Sequence, residues 1–217
     1  MEIIDISPTL SEQTPVWPGD VPLSRSIQLE IGGGDNIDLS SLTSTVHIGA
    51  HADSRSHYSS RGQGIEAVPL EPYIGPCYVV KSTGALISKN DCRVAIEAGA
   101  KRVLFRTDSF DHNQPFSSEF TAFSTEAIEW LGANGVRLVG IDTPSVDPFD
   151  SKDLPVHHEL IKFNIYNLEG LVLSGVEDGW YELVALPLKL KGFDASPVRA
   201  ILRRPREQSS RNMPLKP

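Results

Sequence analysis

Residues 88–108 read SKNDCRVAIEAGAKRVLFRTD, the pattern of a helix followed by a strand. Cap-type residues open this segment, an apolar set that includes Val94 follows, and Gly99 is placed to end a helix. The β-branched and aromatic run RVLFRT comes next. The pattern recurs over residues 124–142, where AIEWLGANG precedes VRLVGID. Two consecutive helix–strand units predict an α/β fold with parallel strands, whose carboxyl-end loops are available for function.

The rest of the chain indicates a single domain. No internal repeat, low-complexity block or Gly/Ser linker divides the 217 residues, so we expect one domain over residues 1–203. Residues 204–217, RPREQSSRNMPLKP, are polar and contain proline, which is typical of a loose tail or a partner-facing arm. Short apolar runs predict three further strands: LVL at 171–173, YELVALPLKL at 181–190 and VRAIL at 198–202.

The composition excludes several broad classes of protein. A formal net charge of −8 argues against a nucleic-acid or anionic-membrane binder, because both ligands require a cationic surface. The two cysteines are too few for a disulfide framework. No apolar run approaches the ~20 residues that span a membrane, and the start of the chain carries no visible secretory signal. We therefore expect a cytoplasmic protein.

One short stretch, HIGAHADSRSH, is rich in histidine. It holds three of the six histidines and one aspartate: His47, His51, Asp53 and His57. On a helix, position 53 would lie ~240° from position 47, and on a strand the two would stand ~20 Å apart. Ligands of one ion need donor atoms within about 4 Å of each other. The segment must therefore bend, and Gly49 permits this, so we predict a strand that ends in a turn.

A second cluster of ligand-type residues lies in LPVHHELIKFNIYNLEG. It contains adjacent His157 and His158, with Glu159 beside them and Glu169 twelve residues after His157. A single histidine is usually a core, surface or capping residue, but two clusters in one chain favour a metal site. Histidine and carboxylate ligands without cysteine suit Zn²⁺, or else Mn²⁺ or Fe²⁺. This many candidate ligands could hold two ions bridged by a carboxylate.

The first cluster resembles the H-x-G-T-H-x-D-x-P-x-H motif of the cyclase-type metal-dependent hydrolases. It matches at the three histidines, the glycine and the aspartate, and Ala50 in place of Thr is similar to the bacterial kynurenine formamidase branch. The resemblance extends from about residue 3 to residue 203. It continues through TPVWPGD, GDN, VPLEPYIGPC, IDTPSVDP, the adjacent histidines, LEG and ALPLKLKGFDASPVRAIL.

The resemblance implies a metal site. His47, His51 and Asp53 would hold the first ion, and Asp53 would bridge to a second ion bound by His157. Glu169 would bridge from the opposite side. The family's spacing of twelve between this histidine and this glutamate is kept, which favours His157 over His158. The expected ions are two divalent cations, Zn²⁺ with Mn²⁺ as the alternative.

The resemblance also implies a fold and a reaction. The family's fold is a swivelling β/β/α domain, and its members usually form homodimers or homotetramers. The reaction would be hydrolysis of N-formyl-L-kynurenine, a small aromatic formamide of tryptophan degradation, to L-kynurenine and formate by a metal-activated water. His57 would donate and accept the proton, and Trp17 would line the substrate pocket.

The chain departs from the motif at Arg55, where the family has proline. Proline would stiffen the turn before His57, whereas a guanidinium could grip a substrate carboxylate or point into solvent. A related hydrolase of a cyclic amide such as isatin therefore stays open as an alternative. A non-catalytic metal-binding module is a second alternative. Structural zinc sites are closed and usually rich in cysteine. Both clusters here lack cysteine, and His57 is not needed as a ligand, so it stays available for acid–base chemistry.

A few other polar residues are weaker candidates. Asp108, Asp142 and Asp147 follow predicted strands, where they could shape the pocket or serve only as caps and turn formers. His112, in DSFDHNQPF, is predicted to be a loop residue.

Overall fold

The computed structural model describes residues 2–204, and a nine-stranded mixed β-sheet is its largest element. The strands are β1 (Ile3–Asp5), β2 (Ser24–Leu29), β3 (Leu39–Thr43), β4 (His51–Asp53), β5 (Ile74–Lys81), β6 (Leu86–Ile87), β7 (Arg102–Arg106), β8 (Ala122–Phe123), β9 (Leu138–Ile141), β10 (Tyr166–Glu169), β11 (Gly179–Val184), β12 (Ala195–Pro197) and β13 (Ile201–Arg203). The helices are α1 (Lys89–Glu97), α2 (Thr125–Ala133) and α3 (Pro155–Phe163).

The large sheet is parallel at its centre and antiparallel towards both edges. Its strands lie in the order β1-β13-β11-β5-β7-β9-β10-β4-β12. The strands β5, β7, β9 and β10 run parallel, and β4 and β12 continue the sheet in antiparallel pairing. Two small sheets, β2 with β3 and β6 with β8, lie outside it. The mixed α/β architecture predicted from the sequence is confirmed.

Both predicted helix–strand units are present. A capping box between Ser88 and Asp91 opens α1, and the Ser124 side chain accepts a hydrogen bond from the Ala127 amide at the start of α2. The apolar set expected for the first helix, Val94, Ala95 and Ala98, is wrong in two positions, because Val94 is 46% exposed and Ala98 is also exposed. The buried face of α1 is instead formed by Cys92, three residues before Ala95, and by Ala95 itself.

The helices and the sheet enclose two hydrophobic cores. Val103 and Phe105 of β7 pack on one face with residues of α1, α2 and α3, whereas Leu104 packs on the opposite face with Tyr73 and Leu138. Alternate residues of a strand point to opposite faces, so a strand buried on both sides reads as the continuous apolar run seen here. Each helix has nine residues, and within residues 2–204 none is long or apolar enough to cross a membrane.

The strand predictions for the C-terminal third are only partly correct. Residues 171–173 form a largely buried segment without strand pairing. The Leu171 amide donates to the Ile141 carbonyl and the Val172 amide to the Ile6 carbonyl, so the segment does not pair with one strand along its length. The run at 181–190 forms a strand only as far as Val184, and that at 198–202 contributes β13. Except for residue 204, the predicted tail lies outside the described residues.

Candidate metal centre and substrate pocket

The register of the sheet edge brings the two ligand clusters together. The antiparallel pairing of β10 with β4 sets Glu169 directly opposite His51. Asp53 lies two residues after His51, so its side chain is on the same face of β4. The Nε2 atom of His51 lies 3.3 Å from Glu169 Oε2 and 3.5 Å from Asp53 Oδ1.

His47 reaches the same centre from a bend, not from a strand. The predicted strand that ends in a turn is present, as the strand His51–Asp53 followed by a short 3₁₀ turn at Arg55–His57. The prediction did not include the bend that precedes this strand. Gly49 lies within the bend at φ +57°, in the left-handed region that favours glycine. The bend carries His47 Nδ1 to 3.2 Å from Asp53 Oδ1.

The helix α3 supplies the third histidine. His157 is buried, and its Nε2 lies 3.5 Å from Asp53 Oδ2 and 3.5 Å from Glu169 Oε1. The neighbouring His158 is exposed. The ligand atoms of His47, His51 and Asp53 lie within 4.8 Å of one another, and so do those of Asp53, His157 and Glu169. These two triads share Asp53.

Each carboxylate presents one oxygen to each triad. Asp53 Oδ1 faces His47 and His51, whereas Oδ2 faces His157. Glu169 Oε2 faces His51, whereas Oε1 faces His157. The Asn167 side chain holds both carboxylates, since its Nδ2 donates to Asp53 Oδ2 at 2.7 Å and to Glu169 Oε1 at 3.1 Å. Each carboxylate is therefore shared between the two groups of histidines.

In each candidate ligand histidine, the ring nitrogen that points away from the triads has an oxygen partner. His51 Nδ1 donates to the Gly49 carbonyl at 2.9 Å, and His157 Nδ1 donates to Asp147 Oδ2 at 2.6 Å. His47 uses its other nitrogen, with Nε2 2.9 Å from Asp194 Oδ2. A hydrogen bond on one ring nitrogen leaves the lone pair on the other, which is how metal-binding histidines are oriented in proteins.

The side-chain atoms that face the centre of the two triads fit a bound cation. His51 Nε2, His157 Nε2 and Asp53 Oδ1 are all buried and have no hydrogen-bond partner. An unsatisfied buried polar group costs about 1–3 kcal/mol, so three of them at one centre require compensation. A divalent cation would supply it, and the nitrogen and oxygen donors without cysteine suit a borderline ion such as Zn²⁺.

The ionisable groups of the two triads shift the pKa values of one another. Burial opposes a charge on His47, but the neighbouring Asp53 and Asp194 outweigh it and raise its pKa from 6.5 to about 9. Burial likewise opposes the charge of Asp53, but its histidine partners hold the pKa well below 3.8. His57 differs, because burial lowers its pKa. The His57 imidazole is therefore neutral at pH 7 and can accept a proton.

His57 and Trp17 line a cavity that opens onto both triads. The cavity has a volume of about 560 Å³, and its wall includes His47, His51, His157 and Glu169. This size falls within the range of small-molecule sites. The His57 side chain is 34% exposed, so it is accessible to a bound molecule.

An aromatic cluster surrounds Trp17, which lines the cavity. The Trp17 ring lies 4.9 Å from Phe149 and 5.5 Å from Phe116, measured between centroids. Phe110, which also lines the cavity, lies 5.7 Å from Phe116. The wall near the metal centre is polar, whereas the wall around Trp17 can accept a flat apolar group.

Arg55 lies outside the cavity wall. Its guanidinium sits over the Tyr166 ring at 5.3 Å from the centroid and donates a hydrogen bond to the Asn164 side chain. Neither predicted role, gripping a substrate or pointing into solvent, describes this packing. The arginine instead links the turn at Arg55–His57 to the segment that follows α3, through Asn164 and Tyr166.

Sequence reasoning missed several residues around the centre. Of the three strand-end aspartates, only Asp147 touches a candidate ligand. Asp142 instead accepts hydrogen bonds from the Thr107 and Asp108 amides, just after β7. Asn167 and Asp194 were not singled out, although Asn167 immediately precedes LEG and Asp194 lies within ALPLKLKGFDASPVRAIL, two of the segments that carry the resemblance. His112 also lines the cavity, beyond its predicted position in a loop.

Comparisons with known proteins agree with this geometry. Residues 4–148 match the family described as putative cyclase. A kynurenine formamidase from Bordetella avium (strain 197N) is 44% identical over 201 residues, which cover 92% of this chain and 96% of the relative. A solved structure of a potential metal-dependent hydrolase with cyclase activity has a TM-score of 0.80 at 30% identity, covering 94% of this chain and 99% of that chain.

A third comparison concerns the fold alone. Isatin hydrolase A from Labrenzia aggregata has a TM-score of 0.76 at 23% identity and covers 93% of each chain. The family match spans more than half of the chain, and the similarity to the formamidase extends over nearly all of it. The chain therefore belongs to the putative cyclase family, in the kynurenine formamidase branch that its motifs predicted.

Proposed function

We propose that the protein hydrolyses N-formyl-L-kynurenine to L-kynurenine and formate, a step of tryptophan degradation. The observation that carries this proposal is the pair of triads sharing Asp53, open to a cavity lined by Trp17, in a chain 44% identical to a kynurenine formamidase. A metal-dependent amidohydrolase needs both features, a centre for the ions and an adjoining space for an aromatic amide.

The residues proposed to hold the ions are those of the two triads. His47, His51 and Asp53 would hold the first of two divalent ions, and His157 the second, with Asp53 and Glu169 bridging. The support is that each carboxylate directs its two oxygens to different triads. Zn²⁺ is the ion proposed, with Mn²⁺ as the alternative. When bound, such ions supply Lewis acidity and lower the pKa of water from 15.7 towards ~7.

His57 is proposed to carry the proton. Water adds to the formyl carbon, the carbon–nitrogen bond breaks, and the aryl amine departs as a neutral molecule only if its nitrogen is protonated. His57 would accept the proton from the attacking water and deliver it to that nitrogen. Its neutral imidazole beside the triads, with the pKa lowered by burial, supports the assignment.

Trp17 is proposed to bind the aryl ring of the substrate. It lines the cavity and is held in place by Phe116 and Phe149, so its orientation is set before substrate binds. Aromatic pairs of this kind contribute about 0.5–1.5 kcal/mol beyond the burial of their surface.

A homodimer or homotetramer is proposed for the assembled enzyme. The β2–β3 hairpin is exposed on both faces, and Ile27, Leu39 and Leu42 are 52%, 48% and 72% exposed. A two-stranded hairpin is marginal alone in water, so packing against a second copy would stabilise it. Mass measurement by light scattering should give a multimer, and Leu42→Asp should reduce the mass to that of a monomer.

A cytoplasmic location is also proposed. Both cysteines of the described chain, Cys77 and Cys92, are free and buried, which is typical of proteins from a reducing compartment.

The test combines substrate turnover with metal analysis on one preparation. Formate release from N-formyl-L-kynurenine is measured alongside the metal content of the same sample, and isatin is assayed in parallel. We expect formate release that disappears on chelation and returns with Zn²⁺. Rapid isatin hydrolysis without formate release would instead favour the cyclic-amide alternative.

The alternatives have less support than the proposed reaction. Arg55, the feature that kept a cyclic-amide substrate open, packs on Tyr166 away from the cavity. A closed structural metal site is disfavoured because the triads adjoin a cavity and His57 stands accessible beside them.

A further inference from the structure

One carboxylate, Asp194, contacts two histidines that have different roles. Its Oδ2 atom lies 2.9 Å from His47 Nε2 and 3.4 Å from His57 Nδ1. The rings of His47 and His57 are themselves 4.2 Å apart. A single oxygen is therefore placed between the outer nitrogen of a candidate ligand and one nitrogen of the candidate proton carrier.

The backbone holds Asp194 rigidly beside the metal centre. Ala195, the next residue, pairs with Asp53 in the sheet. The Asp194 carbonyl accepts hydrogen bonds from the Ser54 amide at 2.8 Å and from the Ser54 hydroxyl at 2.9 Å. Because Asp194 is tied to the strand that carries Asp53, its carboxylate is positioned by the same register as the candidate ligands.

We propose that Asp194 is a positioning residue that fixes the tautomers of His47 and His57 together. This inference rests on the proposed function for the part that concerns His57. A proton held on His57 Nδ1 by Asp194 leaves the lone pair on Nε2, the nitrogen that can take a proton from water. A proton held on His47 Nε2 leaves Nδ1 free to face Asp53 and the first ion.

The geometry of the two contacts suits this role. The His47 contact has the length of a charge-assisted hydrogen bond. The His57 contact is longer, and catalytic hydrogen bonds in substrate-free enzymes commonly shorten once substrate binds. Unlike Asp147, which is fully buried behind His157, Asp194 has a side chain that is 46% exposed and lines the cavity. It can therefore follow the His57 ring as substrate enters.

Three variants test the proposal. Asp194→Ala removes the acceptor, and Asp194→Asn keeps one acceptor oxygen without the charge. Asp178→Asn is the matched control, because the Asp178 side chain is 48% exposed and pairs with Arg106 away from the cavity. All are loaded with Zn²⁺, which is diamagnetic, and the bound metal is counted before each measurement.

The first readout is the protonation of the histidine rings, which a merely structural role would not change. Long-range ¹H–¹⁵N spectra distinguish protonated from unprotonated ring nitrogens, and a His57→Gln spectrum identifies the His57 signals. We expect Nδ1 of His57 to be protonated in the wild type and in Asp178→Asn. In Asp194→Ala we expect the proton on Nε2, the tautomer that free imidazole side chains prefer.

The second readout is turnover at full metal loading. We expect kcat of Asp194→Ala to fall about 10–100-fold, as is usual for partners of catalytic and ligand histidines, with KM within about twofold. Asp194→Asn should recover part of the loss, and it replaces the alanine variant if that variant does not fold. Metal affinity at one of the two sites should also fall, through His47.

Several results would overturn the proposal. An unchanged His57 tautomer in Asp194→Ala would do so, as would kcat within twofold of the wild type at full loading. Three ions per chain would mean that His47, His57 and Asp194 form a further cation site instead. If the wild type releases no formate from formylkynurenine, the proposed function fails, whereas the ring spectra still decide the role of Asp194.

Discussion

Replacing Gly170 by alanine should separate the two ligand clusters. Gly170 follows Glu169 at φ +63°, and an added Cβ would lie 2.2 Å from the Gly49 carbonyl oxygen. Cβ atoms essentially never approach another heavy atom closer than 3.0 Å, so the two backbones must part by about 0.8 Å. Metal–ligand distances tolerate only about ±0.2 Å. The displacement is therefore several times larger than the centre can absorb.

The loss of stability caused by Gly170→Ala can be compared with that of a matched variant, Gly175→Ala. Gly175 has φ +77°, but no atom lies within 4 Å of an added Cβ. Gly175→Ala should therefore cost only the left-handed backbone conformation, about 1–2 kcal/mol. Gly170→Ala adds overpacking of about 1–3 kcal/mol. For a chain of this size 1 kcal/mol shifts Tm by about 2–4 °C, so Gly170→Ala should be lower by about 2–12 °C than Gly175→Ala.

Thermal unfolding and metal titration of both variants provide the assay. We expect Gly175→Ala to bind metal like the wild type, whereas Gly170→Ala should bind it at least about tenfold more weakly. Equal Tm values and equal metal affinities for the two variants would refute the reasoning that close contact between the Gly49 and Gly170 backbones holds the centre together.

Three further predictions concern the centre itself. His57→Ala should retain its metal and lose about 10²–10⁴-fold in kcat; turnover like that of the wild type would contradict the proton-transfer role. Asp53→Ala should lose metal and activity together, and a full metal complement measured by mass spectrometry would exclude a bridging role. The metal-free protein holds protons on His47, with pKa raised from 6.5 to about 9, and on His157, whose pKa is also raised. The stabilisation from His47 is complete below about pH 6.5 and is lost as pH rises through about 9, and His157 contributes in the same direction. Tm of the metal-free protein should therefore fall between about pH 6.5 and 9, and a constant or rising Tm would contradict the shifts.

Local sequence patterns were sufficient for the central elements. The helix–strand units at 88–108 and 124–142 carry caps, a helical face and continuous apolar runs, all of which act between neighbours in the chain. The helix α3 lacks a cap-type residue at its start. It begins after Leu154 in a left-handed conformation, without a side-chain cap of its own. Its first amides are bonded by Asp147, since Val156 and His157 donate to that carboxylate. A cap supplied from a separate loop leaves no local pattern.

The sequence by itself determined the family of the protein and the types of ligand in the candidate centre. The spacing of His47, His51 and Asp53 required a bend, the donor types indicated a borderline divalent ion, and the motif identified the family, which the comparisons confirm. These properties depend on residue type and on distances along a short piece of chain. They do not depend on how that piece packs against the rest of the protein.

Only the tertiary structure decided which residues surround that centre and in what orientation. Asn167, Asp147 and Asp194 reach it through strand register and loop packing, and Arg55 is held away from it by Tyr166. Asp194 is more than a hundred residues from His47 in the chain, yet 2.9 Å separates their side-chain atoms. Contacts between distant segments arise from the global register of the sheet, which no local pattern of residues encodes.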